Sequence, residues 1–327
     1  MDHVRIGILG AARIAPAAIV RPAKAVDGAE VVAVAARDRS RAEKFAAKRG
    51  VPRVHDSYDA LIADPEIDAI YNPLPNGLHA EWTLKALAAG KHVLCEKPFT
   101  ANAAEAEEVA AAADASGLVV TEAFHYRYHP LAKRMKEVVD TGVLGDIQRV
   151  ETAMCIPLPL KNDIRYRLDL AGGATMDVGC YALHMARLMG GEPDVTGARY
   201  KLSSPDVDRW MQADLAFPGG ATGQMTCSLM SRQLLKVSVK VTGTKGSMKV
   251  LNPTAQFHHR LTLHVGGRTT RENFGRRPTY EYQLEAFTGA VLRGEPTLTP
   301  PSDSILNMRA IDAVYRAAGL PLRGSAS

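Results

Sequence analysis

Short apolar runs alternate with segments of helical spacing through the first 122 residues of the chain. Val4 to Gly10 is an apolar run that ends in glycine, and Glu30 to Ala36 is a second run of the same kind. Runs of this length are typical of strands that are buried on both faces of a sheet. Shorter runs predict further strands at Ile67 to Tyr71, His92 to Cys95 and Leu118 to Thr121.

Helical segments separate these predicted strands. Ser40 predicts the N-cap of a helix that runs through Ala47, and His79 to Ala89 predicts a helix that ends at Gly90. The alanine-rich segment Ala103 to Ala115 predicts another helix. Strict alternation of strand and helix gives right-handed crossovers and a parallel sheet. We therefore predict a doubly wound α/β fold of the Rossmann type, in which ligands bind at the carboxyl ends of the strands.

The pattern changes to a period of two from Ile147 onward. Val237, Val239 and Val241 alternate with lysine and serine, which indicates a strand buried on one face. Similar segments, separated by glycine-rich turns, predict strands at Gln148 to Ile156, Val195 to Ser203, Met211 to Phe217, Ala221 to Leu229 and Leu261 to Val265. Helical periodicity returns at Tyr282 to Leu292 and Ser304 to Ala318. This half predicts an α+β domain with a largely antiparallel open sheet.

The length of 327 residues is about twice that of one domain. We predict a dinucleotide-binding domain over residues 1–122 and a substrate-binding and oligomerisation domain over residues 123–327. One face of the antiparallel sheet is free to pack on a partner subunit. The pattern therefore predicts a homodimer or a homotetramer formed through the C-terminal sheet.

Composition narrows the classes of function. The net charge of +5 suits an anionic small ligand, but the basic residues are scattered, which argues against nucleic-acid binding. No apolar run is long enough to span a membrane, and the first predicted strand begins too early for a cleavable signal, so we expect a cytoplasmic protein. The spacing of the cysteines offers neither a disulfide framework nor a metal site; they are Cys95, Cys155, Cys180 and Cys227.

The loop after the first predicted strand is a candidate pyrophosphate site. It runs Gly10-Ala11-Ala12-Arg13-Ile14-Ala15, a degenerate form of the GxGxxG/A pattern in which Ala12 replaces the second glycine. A plain strand-to-helix turn is the alternative interpretation. Because this loop opens a helix at the start of an alternating domain, backbone N–H groups there would face a pyrophosphate.

The residues after the second strand bear on the choice between NADP and NAD. An NAD site usually places a carboxylate at this strand end, to hold the ribose 2′-hydroxyl. Here the strand ends at Ala36 and is followed by Arg37, with Arg39 close by. A guanidinium suits a 2′-phosphate, so the pattern favours NADP. NAD stays open, because Asp38 could turn toward the ribose.

Two places in the sequence carry candidate catalytic groups. Lys97 follows the predicted strand that ends at Cys95 and precedes Pro98, so its side chain is expected at the carboxyl edge of the sheet. After Gly172-Gly173, the residues Asp177, Tyr181 and His184 are spaced by four and three, and they share one face of a predicted helix. The basic residues just before the glycines are candidate donors to a substrate: they are Arg165 and Arg167.

These segments together resemble the glucose–fructose oxidoreductase / inositol dehydrogenase family of NAD(P)-dependent enzymes. The resemblance covers nearly the whole chain and rests on the glycine loop, Tyr71 to His79, Ala89 to Pro98, Arg127 to Pro130, Gly172 to His184, and Glu285 to Phe287. Tyr181 places the chain nearest the branch that contains dihydrodiol dehydrogenase and NADP-dependent xylose dehydrogenase, since inositol dehydrogenase-like members carry histidine there.

The resemblance implies roles for individual residues. It makes Lys97 and Tyr181 catalytic, with Asp177 assisting. It also implies a set of residues around the nicotinamide half of the cofactor, namely Asn72, Leu74, Asn76, His79, Glu96 and Arg127.

We hypothesise hydride transfer to or from a sugar, cyclic polyol or cyclic diol, with Tyr181 as acid/base. A free tyrosine titrates near pH ~10, so the Lys97 cation is needed to stabilise the phenolate. His184 is the rival acid/base, and no metal ion is expected to take part. Two other classes stay open: a glycosidase that uses NAD transiently, and a non-catalytic dinucleotide-sensing regulator. Retained cofactor with release of free sugar would mark the first, and loss of the lysine or tyrosine the second.

Overall fold

The computed structural model describes residues 2–159, 163–231, 235–254 and 258–324, which form two compact units. The first unit takes in Met1–Thr100, Ala104–Tyr128 and Pro278–Ile305, and the second takes in Ala101–Ala103, His129–Arg277 and Leu306–Ser327. The chain passes from the first unit into the long stretch of the second unit after Tyr128, close to the domain boundary predicted at residue 122. Neither unit is continuous in sequence. The segment Pro278–Ile305 belongs to the first unit because its residues Leu284 and Phe287 pack in the same core as Ile6 and Ile8.

The first unit contains a parallel sheet, as predicted, with six strands rather than the five that the sequence indicates. Its strands are β1 (Val4–Leu9), β2 (Ala29–Ala35), β3 (Arg53–His55), β4 (Ala69–Asn72), β5 (His92–Cys95) and β6 (Val120–Glu122). Their order is β3-β2-β1-β4-β5-β6, the doubly wound arrangement, and the direction of the order reverses beside β1. The crevice at this switch point is where such sheets bind ligands.

Eight α-helices lie in the described residues. They are α1 (Arg39–Arg49), α2 (Tyr58–Ile62), α3 (His79–Ala88), α4 (Ala103–Ser116), α5 (Pro130–Asp140), α6 (Cys180–Gly190), α7 (Thr279–Arg293) and α8 (Pro301–Ala317). The predicted N-cap Ser40 is corrected to Asp38, whose carboxylate accepts hydrogen bonds from the backbone of Ser40 and Arg41. Asp is a strong N-cap because it satisfies otherwise orphaned N–H groups.

The second unit contains an eight-stranded, mostly antiparallel sheet. Its strands are β7 (Ile147–Cys155), β8 (Asp194–Ser204), β9 (Val207–Ala216), β10 (Thr222–Ser228), β11 (Lys236–Gly243), β12 (Gly246–Leu251), β13 (Arg260–Val265) and β14 (Arg268–Glu272). The order is β14-β13-β12-β11-β7-β10-β9-β8, and only the β7/β10 pair is parallel. Helix α6 packs on β7, β10 and β11. The predicted α+β class is confirmed.

Candidate active site

The loop after β1 turns sharply at Gly10. This residue has φ of +86°, and its N–H donates to the carbonyl of Ala35 over 2.7 Å. A side chain there would be strained, because L-residues rarely adopt positive φ. Beyond it Ala12 is half-buried, while Arg13 and Ile14 are exposed. This loop therefore lies at the surface of the first unit, and its role as a pyrophosphate site stays a prediction.

The helix that follows this loop is shorter than the pattern suggests. It is a five-residue π-helix, Pro16–Val20, with proline at its first position. Proline contributes no N–H, and a helix this short has a small dipole. Amide donors to a pyrophosphate would therefore come mainly from the loop itself rather than from the helix.

Around the end of β2, the charged side chains differ in what they already bind. The carboxylate of Asp38 accepts from the N–H of Ser40 (2.9 Å) and from its hydroxyl (2.8 Å). Arg39 pairs with Glu43 and Asp56. Arg37 is exposed and makes no ion pair within the described part of the chain. The strand end thus offers a guanidinium and a capped carboxylate, which fits a 2′-phosphate better than a 2′-hydroxyl.

Tyr58 lies between the glycine loop and Arg37, and sequence reasoning missed it. The Arg37 backbone hydrogen-bonds its phenol, whose pKa is raised by burial. A Cβ atom built on Gly10 would lie 3.6 Å from the phenol oxygen. The ring packs edge-on against Trp82, with 4.9 Å between the centroids. No local pattern marks this residue, because its position depends on how α2 is placed against β1 and β2.

The ends of β4 and β5 are linked through buried polar groups. The Tyr71 phenol donates to the carboxylate of Glu96 over 2.7 Å, and the Glu96 N–H donates to the carbonyl of Asn72 over 3.0 Å. The Asn72 amide in turn donates to the His79 carbonyl and the Thr83 hydroxyl. Asn72 and Glu96 therefore brace the loops after both strands.

His79 connects the loop after β4 to the segment that contains Lys97. Its ring is 1% exposed, with Nδ1 2.8 Å from the carbonyl of Pro98 and Nε2 2.7 Å from the carbonyl of Leu74. Burial lowers the pKa of His79 to about 4, against the two carbonyls, which favour its protonated form. Both ring nitrogens already contact the backbone, so this residue shapes the site rather than reaching into it.

The other predicted residues of the first unit are all half-buried. Lys97 is half-buried, and its ammonium is close enough to His79 to affect the pKa of that ring. Asn76 begins a 3₁₀ turn before α3 and is half-buried. Arg127 is half-buried in the 3₁₀ turn His125–Tyr128.

Tyr280, at the start of α7, is a second residue that sequence reasoning missed. Its ring lies 4.3 Å from that of His125, centroid to centroid. Burial, and then the charge of Glu96, raise the pKa of Tyr280. A residue about 180 positions after Glu96 thus belongs to the same electrostatic environment. Only the return of α7 to the first unit reveals it.

The second unit carries the other candidate set on one helical segment. This begins as a π-helix, Thr175–Gly179, and continues as α6. Asp177 lies in the π-helical turn with its side chain 16% exposed, whereas Tyr181 and His184 in α6 are 6% and 3% exposed. Asp177 is therefore the more accessible of the three.

Asp177 is paired with Arg165 in the structure. The Arg165 Nε lies 3.0 Å from Asp177 Oδ1, and its Nη1 lies 3.0 Å from Asp163 Oδ1. The charges of Asp177 and Asp163 raise the pKa of Arg165, against burial, which lowers it. Arg167 pairs instead with the exposed Asp169. The predicted substrate donors Arg165 and Arg167 are thus both engaged by carboxylates of their own unit.

Neither a metal-binding cluster nor a membrane-spanning helix is found among the described residues. No cluster of three or more His, Cys, Asp or Glu side chains there could hold a metal ion. Likewise, no helix in the described ranges is long and apolar enough to cross a membrane. The four cysteines all lie in the described ranges, and each is a buried thiol outside any disulfide.

Comparisons with known proteins show the family of the chain. A family model described as an oxidoreductase family with an NAD-binding Rossmann fold matches residues 4–124. The model of the C-terminal domain of the same family matches residues 132–249. The chain is 39% identical to D-xylose 1-dehydrogenase (NADP(+)) 2 of Haloferax volcanii over 95% of this chain and 96% of that protein.

Two further relatives have different names. Trans-1,2-dihydrobenzene-1,2-diol dehydrogenase of Sus scrofa is 36% identical over 68% of this chain and 67% of its own length. A 3-ketoreductase from Actinomadura kijaniata, solved with NADP and TDP-benzene, superposes with a TM-score of 0.89 at 30% identity, over 97% of this chain and 98% of that one.

Proposed function

Because the chain belongs to the oxidoreductase family with an NAD-binding Rossmann fold, we propose that it moves a hydride between a nicotinamide cofactor, NADP rather than NAD, and a secondary alcohol or ketone. The substrate class is a sugar, a cyclic polyol or a cyclic diol. Similarity to named sugar and diol dehydrogenases over most of the chain supports this class.

The preference for NADP rests on which charged side chains after β2 already have a hydrogen-bonding partner. The carboxylate of Asp38 already caps α1 by accepting hydrogen bonds from Ser40, whereas the Arg37 side chain is exposed at the strand end. With Gly10 and Tyr58 beside it, this end of the sheet suits the ribose of NADP. Arg37 would hold the 2′-phosphate and the glycine loop the pyrophosphate.

The proton has to be handled by the chain's own residues. When bound, NADP supplies the hydride acceptor or donor at its nicotinamide ring. Tyr181 holds the proton of the reacting hydroxyl at its phenol oxygen, and the Lys97 ammonium stabilises the phenolate. Asp177 accepts a hydrogen bond from a substrate hydroxyl. His184 lies one helical turn beyond Tyr181 and is the alternative proton carrier.

Lys97 is supported in this role by its surroundings. Its neighbours Glu96 and Pro98 are tied to Tyr71 and His79, which fixes the backbone on both sides of it. A positioned cation is worth more than a mobile one, because little reorganisation is needed during the reaction. Tyr181 is supported by its near-complete burial next to the accessible Asp177.

The proposal is tested by fluorescence titration with NADPH and NADH, followed by turnover assays with the preferred cofactor. The panel holds aldoses, inositols and cyclic diols, because the relatives act on sugars and on a diol. We expect tighter NADPH binding and turnover of at least one neutral polyhydroxylated compound. Binding of neither cofactor, or no turnover across the panel, would contradict the proposed function.

A further inference from the structure

Arg165 occupies a position between two carboxylates of the second unit. Its Nε lies 3.0 Å from Asp177 Oδ1 and its Nη1 lies 3.0 Å from Asp163 Oδ1. Asp163 has a side chain only 1% exposed, and Asp177 has one that is 16% exposed. One guanidinium thus joins a buried anchor to the more accessible carboxylate, through charge-assisted hydrogen bonds.

The backbone fixes this arrangement independently of the side chains. The Arg165 carbonyl accepts from the N–H of Gly173 over 2.8 Å, and the Gly173 carbonyl accepts from the N–H of Asp177 over 3.0 Å. A Cβ atom on Gly172 would lie 2.7 Å from the Arg165 carbonyl oxygen, a distance that side chains do not tolerate. The glycine pair therefore sets how far Arg165 lies from the turn that carries Asp177.

Charge makes the guanidinium a poor receptor for an anionic substrate. Asp163, Arg165 and Asp177 together carry one net negative charge when all are ionised. An ionised carboxylate only accepts hydrogen bonds, so Asp177, the more accessible of the two carboxylates, is an acceptor for a hydroxyl.

We propose that Arg165 is a positioning residue that holds Asp177 as a fixed acceptor for a substrate hydroxyl next to the reacting carbon. The inference rests on the proposed function and narrows its substrate class to neutral compounds with neighbouring hydroxyls. It also separates the roles of two nearby arginines, because Arg167 pairs with exposed Asp169 and has no contact with Asp177 in the described structure.

Matched variants test this role. Arg165→Met removes the guanidinium, Arg165→Lys keeps the charge, and Arg199→Met, in an exposed ion pair on β8, is the control. Substrates are used in pairs that differ by one hydroxyl: D-glucose with 2-deoxy-D-glucose, and trans-1,2-cyclohexanediol with cyclohexanol. For the hydroxylated member, Arg165→Met should lower kcat/KM by about 10- to 100-fold, the size expected for losing a charge-assisted contact.

For the deoxy or mono-alcohol member, Arg165→Met should lower kcat/KM by less than about threefold. This member lacks the hydroxyl that donates a hydrogen bond to Asp177. Arg165→Lys should recover part of the loss, and Arg199→Met should stay within about twofold of the wild type. A merely structural role would lower both members of a pair alike. Equal losses, or an Arg165→Met variant that behaves like Arg199→Met, would overturn the inference.

A measurement without substrate separates this inference from the proposed function. The Arg165 Nε–H resonance, assigned by its loss in Arg165→Met, should exchange slowly in the wild type and shift in Asp177→Asn. If the wild type turns over none of the panel but the resonance shifts, the proposed function fails and the pairing stands. A resonance that is unchanged in Asp177→Asn would overturn the pairing itself.

Discussion

Arg323 and Asp208 form an ion pair whose two side chains are fully buried, with 3.2 Å between Nη2 and Oδ1. The same Asp208 carboxylate accepts from the N–H of Thr175 (2.8 Å) and from its hydroxyl (2.7 Å). Arg323 also donates from Nε to the carbonyl of Gly172 over 2.8 Å. The pair thus holds both sides of the turn from which the Asp177 and Tyr181 segment starts.

Replacing Arg323 with Met should therefore destabilise the second unit strongly. The change leaves the buried Asp208 charge without its cation, which typically costs about 3–5 kcal/mol. Chemical denaturation measures the free energy of unfolding. The control is Arg199→Met, which removes a 63% exposed arginine from a pair with the 47% exposed Asp214 and should cost less than about 1 kcal/mol. Similar losses of unfolding free energy in the two variants would contradict a stabilising role for the buried pair of Arg323 and Asp208.

Arg37→Ala should change cofactor preference. Loss of a guanidinium from a phosphate is expected to weaken NADPH binding by about 10- to 100-fold and leave NADH binding within about threefold. Fluorescence titration of both cofactors gives the two dissociation constants. Arg39→Ala is the control, because Arg39 is already paired with Glu43 and Asp56. Equal weakening of both cofactors by Arg37→Ala would show that no 2′-phosphate contact exists.

His129 should make the second unit sensitive to acid. It caps α5 by accepting the Leu131 N–H at Nδ1, and its ring lies 5.2 Å from that of His259. Burial, and then His259, lower the pKa of His129 to about 4. The unfolded chain, with an ordinary pKa near ~6.5, binds more protons between these values, so stability falls as pH drops from about 6.5 to about 4.

The variant His129→Asn isolates this contribution, because asparagine caps helices well and does not titrate. Its free energy of unfolding should depend less on pH in that window, by an amount on the order of 3 kcal/mol. The exposed His264→Asn serves as the control. An unchanged pH dependence in His129→Asn would mean that His129 titrates alike in the folded and unfolded chain.

Tyr71→Phe should lower activity through Glu96. The phenol donates 2.7 Å to that carboxylate, which lies next to Lys97, and both groups are buried. Losing a hydrogen bond to a charged group costs about 1.5–3 kcal/mol and loosens the loop, so kcat should fall by about 10-fold or more. Tyr200→Phe, at an exposed position on β8, is the control. Equal kcat values in the two variants would show that the hydrogen bond from Tyr71 to Glu96 does not support activity.

Much of the fold could be predicted, since apolar runs and glycine turns mark β1, β2, β4 and β5 directly. The short edge strand β3 was missed because two of its three residues, Arg53 and His55, are polar. Helix α5 was missed because His129 is an uncommon N-cap. The π-helical turns are set by local packing, which periodicity does not encode.

The candidate residues could be named from motifs, but their partners could not. The ion pair between Arg165 and Asp177 depends on how the loop folds back at Gly172 and Gly173. The spacing of these residues in the sequence does not predict that pair. Tyr58 and Tyr280 depend likewise on helix placement. The joint action of Lys97 and Tyr181 stays a prediction.

That joint action is tested most directly by kcat of Lys97→Met and Tyr181→Phe, measured on a substrate the wild type oxidises, with NADPH affinity determined separately. Lys85→Met and Tyr200→Phe, which alter exposed positions, are the controls. We predict that each site variant loses about 10²- to 10⁴-fold in kcat while its NADPH dissociation constant changes less than about threefold. Site variants that keep near wild-type kcat would show that neither the ammonium nor the phenol takes part in the chemistry.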